Sequence, residues 1–342
     1  MFDSFIIFGG CGFIGTHMTH LLREKYPEAK IYIADLLADA SKVPELAEGP
    51  SSRHCEEPKG DEAISYQRID VRNPIELQGE FGPNTLIFNF AAIHRTPGHP
   101  DKAYFETNIQ GAENVCNFAN KHNIDNIVFT SSIAPYGASE DLKTETTTPT
   151  PNTPYGISKL VAETIHRVWA ARNANRKLTI VRPGIVFGKG EHGNMTRLYQ
   201  ALKKHKFAYA GRKDTIKACI YVKDLVHVML AMAENENAPR VQLHNCCYYP
   251  SFTIEQIANT MLHATGLKRH IPYIPKKPMM AAATACGLLG GLGLGICPAR
   301  VKKLMVSTNI DGQKLAKNYS LSYSLEEAFR DWYKDCCGKE LV

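Results

Sequence analysis

The run Phe5-Ile6-Ile7-Phe8-Gly9-Gly10-Cys11-Gly12-Phe13-Ile14-Gly15 sets a short apolar strand, a glycine turn and the start of a helix end to end. Glycines at 9, 12 and 15 suit a tight turn, close approach of backbone to a diphosphate, and packing of helix on sheet. The helix N-terminus that follows offers free N–H groups and the positive end of a dipole to phosphates. The spacing alone is cheap, since Gly287, Gly290 and Gly293 repeat it with no strand before and no helix after. Context selects the first match, and with it a dinucleotide site built from Gly9, Gly12, Phe13, Ile14 and Gly15.

Outward from this run, apolar stretches at 31–34, 64–69, 86–90, 127–130 and 178–181 alternate with longer helix-like stretches. That rhythm predicts an α/β fold, a Rossmann-type doubly wound parallel sheet wrapped by helices. The second strand ends in Asp35, twenty residues beyond Gly15, where a carboxylate can accept hydrogen bonds from both adenosine-ribose hydroxyls and would repel a 2′-phosphate. Leu36 and Leu37 follow, with no basic phosphate clamp, so NAD is expected rather than NADP. Asp70 and Val71, ending the third strand, are expected beside the adenine. A polar, breaker-rich stretch at 49–61 reads as a surface excursion. After about Lys189 the alternation is lost. Residues 1–188 are therefore expected to form the NAD-binding domain, with late strands near 218–222 and 241–245 returning to its sheet, and 189–342 a smaller, mostly helical substrate lobe.

The formal charge of +6 comes from scattered Lys and Arg, which suits acidic small molecules or an anionic surface better than a nucleic-acid track. Ten cysteines include the adjacent pairs Cys246-Cys247 and Cys336-Cys337 but no Cys-x-x-Cys and no zinc spacing, so reduced thiols and no metal site are expected. The N-terminus lacks the basic and long apolar regions of a signal peptide, which predicts a cytoplasmic chain. One segment complicates this picture. Residues 279–297 carry no charge and reach the length of a membrane span, although five glycines weaken them as a helix. They read as a buried helix and loop of the smaller lobe, or as a shallow membrane contact at the inner face of the membrane.

Tyr155 and Lys159 stand one helical turn apart on one face, where the cation can lower the phenol's pKa and let it exchange a proton with a substrate hydroxyl. By spacing alone they have four equals: Tyr26/Lys30, Tyr199/Lys203, Tyr209/Lys213 and Tyr273/Lys277. Context again separates them. Thr153 and Pro154 supply a cap and a first helical residue, an amphipathic pattern (Leu160, Val161, Ile165, Val168, Trp169) follows, and Ser131-Ser132 closes the strand before.

Taken in order, Gly9-x-x-Gly12-x-x-Gly15, Asp35, Asp70, Asn89-Phe90-Ala91-Ala92, Asn108, Thr130-Ser131-Ser132 with Tyr136-Gly137, Tyr155-x-x-x-Lys159, Arg182-Pro183 and Tyr221-Val222-Lys223-Asp224 resemble the extended short-chain dehydrogenase/reductase family of NAD-dependent epimerases, dehydratases and reductases. The resemblance covers nearly the whole chain. It implies that Ser132 positions the reacting oxygen, Tyr155 is the acid/base and Lys159 holds the nicotinamide ribose. It further implies that Ala91, Ala92, Asn108 and Pro183 line the cofactor cleft, and that the chain forms a homodimer through helices flanking Tyr155.

Departures narrow the subtype. Dehydratases of the family carry an Asp-Glu pair where this chain has Ile133 and Ala134, which disfavours removal of water. Epimerisation at a sugar hydroxyl, with C4 the expected carbon, or reduction of a keto sugar remains. His94 and Arg95 follow the fourth strand, where a cation can meet a diphosphate, and Arg300 and Lys303 resemble the anion clamp of the family's small lobe. With Gly193-Asn194 these features look most like N-acetylhexosamine and UDP-hexose 4-epimerases, including members that act on polyprenyl-diphosphate-linked sugar. His94, Arg95, Ser132, Asn194, Arg300 and Lys303 are thus the expected substrate contacts. Two rivals stand beside this reading: a 3β-hydroxysteroid-type dehydrogenase, which Arg182-Pro183-Gly184-Ile185-Val186-Phe187-Gly188 also resembles, and a non-catalytic NAD-binding scaffold or redox sensor.

Overall fold

The computed structural model describes residues 2–37, 64–94, 98–278 and 305–342. It divides into two compact units, one of Met1–Gly137, Thr148–Arg182 and Leu225–His244, the other of Ala138–Thr147, Pro183–Asp224 and Asn245–Val342.

A seven-stranded sheet organises the first unit. Its strands are β1 (Ser4–Phe8), β2 (Lys30–Asp35), β3 (Ile64–Arg68), β4 (Thr85–Asn89), β5 (Asn126–Thr130), β6 (Lys177–Pro183) and β7 (Val241–Cys246), in the order β7-β6-β5-β4-β1-β2-β3. The pairings from β3 across to β6 are parallel. Strands covered on both faces must be apolar at every position, and Phe5, Ile6, Ile7 and Phe8 are each fully buried. Three helices concern the site: α1 (Phe13–Lys25), α2 (Asp101–Lys121) and α3 (Pro154–Ala171). Val115, Phe118 and Ala119 of α2 and Ala162, Trp169 and Ala170 of α3 share one core with Ile6, Phe8, Ile87 and Phe129 of the sheet. Each Val, Ile and Phe among them contributes roughly 1.5–3 kcal/mol by leaving water.

The chain runs from β1 outward to β2 and β3, then returns to lay β4 on the other side of β1, so the connections after β1 and β4 diverge and open a crevice at their carboxyl ends. Phe8 stands level with Ala34 on one side and Asn89 on the other. The glycine turn, the end of β2 and the segment after β4 therefore leave the sheet together.

One expected strand sits elsewhere. The segment near 218–222 was assigned to the main sheet, but Cys219–Tyr221 pairs with Ile185–Phe187 in a separate two-stranded sheet of the second unit. Gly184 explains the capture. A Cβ there would lie 2.5 Å from the Ala218 carbonyl oxygen, and the Ile185 N–H donates to that oxygen at 2.9 Å. The strand at 241–246 does join the main sheet, at its edge beside β6.

Besides helices Asn194–Lys203, Ile254–Thr265, Gln313–Asn318 and Leu325–Asp335, the second unit carries a four-stranded sheet (139–143, 216–217, 252–253, 308–310) and a small sheet pairing Tyr209–Ala210 with Tyr273–Ile274. Phe187, Phe329 and Trp332 pack ring against ring in its interior, with 4.9 Å between the first two centroids. The Tyr221-Val222-Lys223-Asp224 motif serves here as a lock. Tyr221 and Lys223 both donate to Asp331 at 2.6 Å, and Asp224 accepts the Ser322 N–H at 2.7 Å, which pins the C-terminal helix.

Candidate active site

At the crevice the backbone of the glycine turn touches the segment after β4. Gly9 has φ +78°, and a Cβ on it would stand 2.8 Å from the Ala91 nitrogen. Gly15 closes the other side of the turn, where a Cβ would meet the Gly9 carbonyl oxygen at 2.5 Å and so drive α1 off the strand. Gly12 caps α1 with no side-chain acceptor, which leaves the first N–H groups of that helix, those of Phe13 and Ile14, for an outside acceptor. The Asp35 carboxylate accepts the Cys11 N–H at 3.1 Å and the Leu37 N–H at 2.9 Å, so it also holds the turn. Burial, aided by Asp35, pushes the Cys11 thiol up to about 11, which keeps it protonated. A cradle that side chains would fill, a helix end with free donors and a carboxylate at the ribose position together fit an NAD.

Several of the expected contacts also carry bonds within the protein. Asp70 is held in a fork by Arg72, with Nε at 2.9 Å and a terminal nitrogen at 2.6 Å, and this pair keeps its carboxyl below the ordinary range. Val71 is buried, with its carbonyl accepting from Asn114 at 2.8 Å. Asn108, expected as a cofactor contact, bonds within the protein on both ends of its amide. Its oxygen accepts the Ile93 N–H at 2.9 Å, and its nitrogen donates to Ile93 O at 3.1 Å and Ser158 Oγ at 2.9 Å, so the amide ties the segment after β4 to α3. Pro183 ends β6 in the second unit.

Ser132, Tyr155 and Lys159 come together in the first unit. Thr153 caps α3 by accepting the Gly156 N–H at 3.1 Å. The Tyr155 phenol, one residue into the helix, is hydrogen-bonded to Ser132, whose oxygen also accepts the Ala134 N–H at 3.1 Å. Burial pushes the phenol up to about 12; the Ser132 hydrogen bond pulls it down, and Tyr104, its ring 6.3 Å away, adds to the rise. The expected lowering by Lys159 is therefore not what the structure displays. The Lys159 ammonium donates to the Thr130 carbonyl at 2.8 Å and lies 4.9 Å from the Phe129 ring centre, and its charge does not figure in the Tyr155 shift. Burial brings Lys159 itself down to about 7, with Glu163 pulling the other way.

Behind this cluster lies machinery that sequence reasoning missed. Glu163, one turn beyond Lys159, accepts Ser131 Oγ at 2.5 Å and both arms of Arg182, at 2.8 and 2.6 Å, with only 2% and 3% of the two charged side chains exposed. The Arg182 guanidinium also stacks 4.6 Å over Tyr136. His166 faces the Ala162 carbonyl through Nδ1 at 2.7 Å and Asn89 through Nε2 at 3.3 Å, which assigns the proton to Nδ1. Burial lowers it to about 4, so it is neutral. The available signal was spacing: 155, 159, 163 and 166 fall on one stripe of a 3.6-residue helix.

A family model for NAD dependent epimerases and dehydratases matches residues 5–246. The chain belongs to that family. This family member is 28% identical over 274 residues to the N-acetyl-α-D-glucosaminyl-diphospho-ditrans,octacis-undecaprenol 4-epimerase of Escherichia coli O157:H7, with 76% of this chain and 81% of that one covered. It is 26% identical to the UDP-glucose 4-epimerase of Streptococcus mutans, but spans only 54% of that protein's length. In fold it is similar to the UDP-N-acetylglucosamine 4-epimerase of Methanobrevibacter ruminantium, with a TM-score of 0.74 over 98% of this chain and 99% of that one at 20% identity.

Of the expected substrate contacts, His94 is exposed after β4. Asn194 opens a helix of the second unit and accepts from Arg197 at 3.0 Å, while Glu191 accepts the Thr196 N–H of that helix at 2.9 Å and occupies its N-terminus. Arg95, Arg300, Lys303, the stretch 49–61 and the uncharged run 279–297 lie outside the described residues. Among the described residues no helix is long and apolar enough to cross a membrane.

Proposed function

We propose that the chain is a 4-epimerase of an N-acetylhexosamine carried on a diphosphate, with the polyprenyl-diphosphate sugar as its substrate and the UDP-sugar as a slower one. The observation that carries this reading is the Ser132–Tyr155 hydrogen bond, set in the same unit as a glycine cradle that fits NAD. A relative of which this chain covers 81%, named as an undecaprenol-diphosphate-linked N-acetylglucosamine 4-epimerase, supports the lipid-linked form.

Held at the Gly9–Gly15 turn and Asp35, NAD would supply the hydride chemistry, an acceptor at the sugar carbon and a donor to its opposite face. The protein's own part is the proton. Tyr155, whose phenol burial pushes up to about 12, acts as base only after giving up its own proton: as the phenolate it takes the proton of the sugar hydroxyl while the ketone forms, and returns that proton as the epimer forms. Ser132 donates to the phenol oxygen and orients the same hydroxyl. Lys159, with a pKa of about 7, is poised between charged and neutral, and its ammonium, turned from the Thr130 carbonyl, would stabilise the phenolate. Ile133 and Ala134 place no carboxylate beside Ser132, which supports epimerisation over loss of water. His94, Arg95, Asn194, Arg300 and Lys303 are the proposed contacts to the sugar and diphosphate.

Two partners belong to the same reading. Ile157, Val161 and Val168 leave 40%, 37% and 46% of their surface exposed along α3, an apolar stripe that suits the same stripe of a second copy. The run 279–297 is the proposed contact with the inner face of the membrane. Purified protein incubated with UDP-N-acetylglucosamine or its undecaprenyl-diphosphate counterpart should yield the galacto epimer with no net change in NADH. Tyr155→Phe should lose on the order of 10²- to 10⁴-fold in turnover while keeping its nucleotide. Stoichiometric NADH consumption would make the enzyme a reductase instead.

A further inference from the structure

We propose that the second unit carries a cationic surface, made by segments 203–207 and 268–277, that docks on anionic phospholipid head groups of a bilayer. It deepens the lipid-linked reading by naming how the enzyme reaches such a substrate.

The two segments lie side by side. Arg269 donates to the Lys203 carbonyl at 3.5 Å, the Tyr209 N–H to Pro272 O at 2.9 Å, and the Gly211 N–H to Ile274 O at 2.8 Å. Between them is a cavity of about 260 Å³ with an apolar floor of Leu202, Phe207 and Ile271 and a rim of His205, Arg269 and His270. Around it Lys204, Lys206, Lys268, Lys276 and Lys277 are exposed. Among the described residues none of these five lysines, nor Arg269, forms an ion pair, whereas Lys203 is paired with Glu340 and Lys213 with Glu255 at the margins.

The charge pattern is one-sided along the chain as well. No Asp or Glu occurs between Glu191 and Asp214, and none between Glu255 and Asp311. Solvated surfaces of soluble proteins intersperse both signs, because a block of one sign repels itself. A block whose few counter-charges, Glu340 and Glu255, lie at its margins is complementary to an anionic sheet. Tyr273, 49% exposed beside the lysines, has the amphipathic ring favoured at the water–lipid boundary. Directly after Lys277-Pro278 the sequence enters the uncharged run 279–297. Cations next to an apolar stretch supply the two signals that stable peripheral binding needs, which favours a bilayer over a polyanion such as nucleic acid.

The test is sedimentation of the full-length protein with vesicles of phosphatidylglycerol in phosphatidylcholine, against vesicles of phosphatidylcholine alone, at about 0.1 M salt, where charges still act over roughly 10 Å. Binding to the anionic vesicles only is expected. Each lysine near the surface is worth about fivefold, so Lys204→Gln/Lys206→Gln/Lys268→Gln should weaken the partition on the order of 100-fold. All three side chains are exposed, so the variant should keep its melting curve and its turnover of soluble UDP-sugar. Equal binding to both vesicle types, or an unchanged partition of the triple variant, overturns the proposal. Release by inorganic phosphate but not by chloride at the same ionic strength overturns it too, and reassigns the patch to a free anion. Vesicle binding without any sugar turnover would leave this proposal standing and sink the epimerase reading.

Discussion

Replacing Glu163 by Gln removes one charge from the most buried ion pair of the described residues and changes almost no volume. The carboxylate accepts two arms of Arg182, at 2.8 and 2.6 Å, and Ser131 at 2.5 Å. An amide in its place turns a donor toward the guanidinium and leaves that cation, 3% exposed, without a counter-charge. Breaking a buried pair from one side costs about 3–5 kcal/mol. Against the roughly 5–15 kcal/mol that holds a folded protein together, the variant should fold but lose much of its margin. Denaturant titration, read at the midpoint with the slope unchanged, measures the loss. The double replacement Glu163→Leu/Arg182→Met should cost less than the single one, because no charge is stranded. A second readout is turnover against pH. Glu163 raises the Lys159 pKa, so its removal should bring Lys159 below about 7, and activity that needs the ammonium should fall away at lower pH than in the parent. A single variant within about 1 kcal/mol of the parent, or a double variant as damaged as the single, would refute the pairing argument.

Gly9→Ala forces a side chain into a left-handed backbone and against the Ala91 nitrogen; a loss of about 1–2 kcal/mol from conformation alone is expected, and no nucleotide should be released when the purified variant is denatured. Lys159→Met probes a depressed amine. The folded pKa of about 7 lies below the unfolded value near 10.4, so the folded chain binds fewer protons between these limits and the lysine's penalty is full below pH 7 and fades toward pH 10. The variant's stability relative to the parent should accordingly be highest below pH 7 and decline toward pH 10, and a flat difference would contradict the assignment. Ile157→Glu/Val161→Glu, on the exposed stripe of α3, should convert a dimer to monomers in analytical ultracentrifugation without altering the far-ultraviolet spectrum.

The strands of the main sheet and the glycine turn at its crevice were legible because they rest on local signals. A four-residue apolar run followed by glycines leaves few conformations open, and Ala34 and Asn89 stand level with its last residue. What escaped was set by contacts distant in sequence. Cys219–Tyr221 is as apolar as a sheet strand, and only the close approach of Gly184 to Ala218 sends it to another partner. The bonds of the Asn108 amide to Ile93 and Ser158 likewise join separate segments, and nothing in its own neighbourhood announces them.

Helix α3 shows why patterning misleads most where chemistry is densest. Its apolar residues suggest an inward face of Val161 and Val168, and these are half exposed, while Lys159, Glu163 and His166 point inward and are almost wholly buried. The ordinary rule is inverted because the inward polar groups satisfy one another: Lys159 on Thr130, Glu163 on Ser131 and Arg182, His166 on Ala162 and Asn89. Buried ions compensated in this way are weak as stabilisers but fix geometry, since any shift of α3 breaks several charged hydrogen bonds at once. That rigidity acts where Tyr155 must hold its phenol on Ser132. The apolar residues displaced to the outer side of that helix, Ile157, Val161 and Val168, form the stripe proposed above for a second copy.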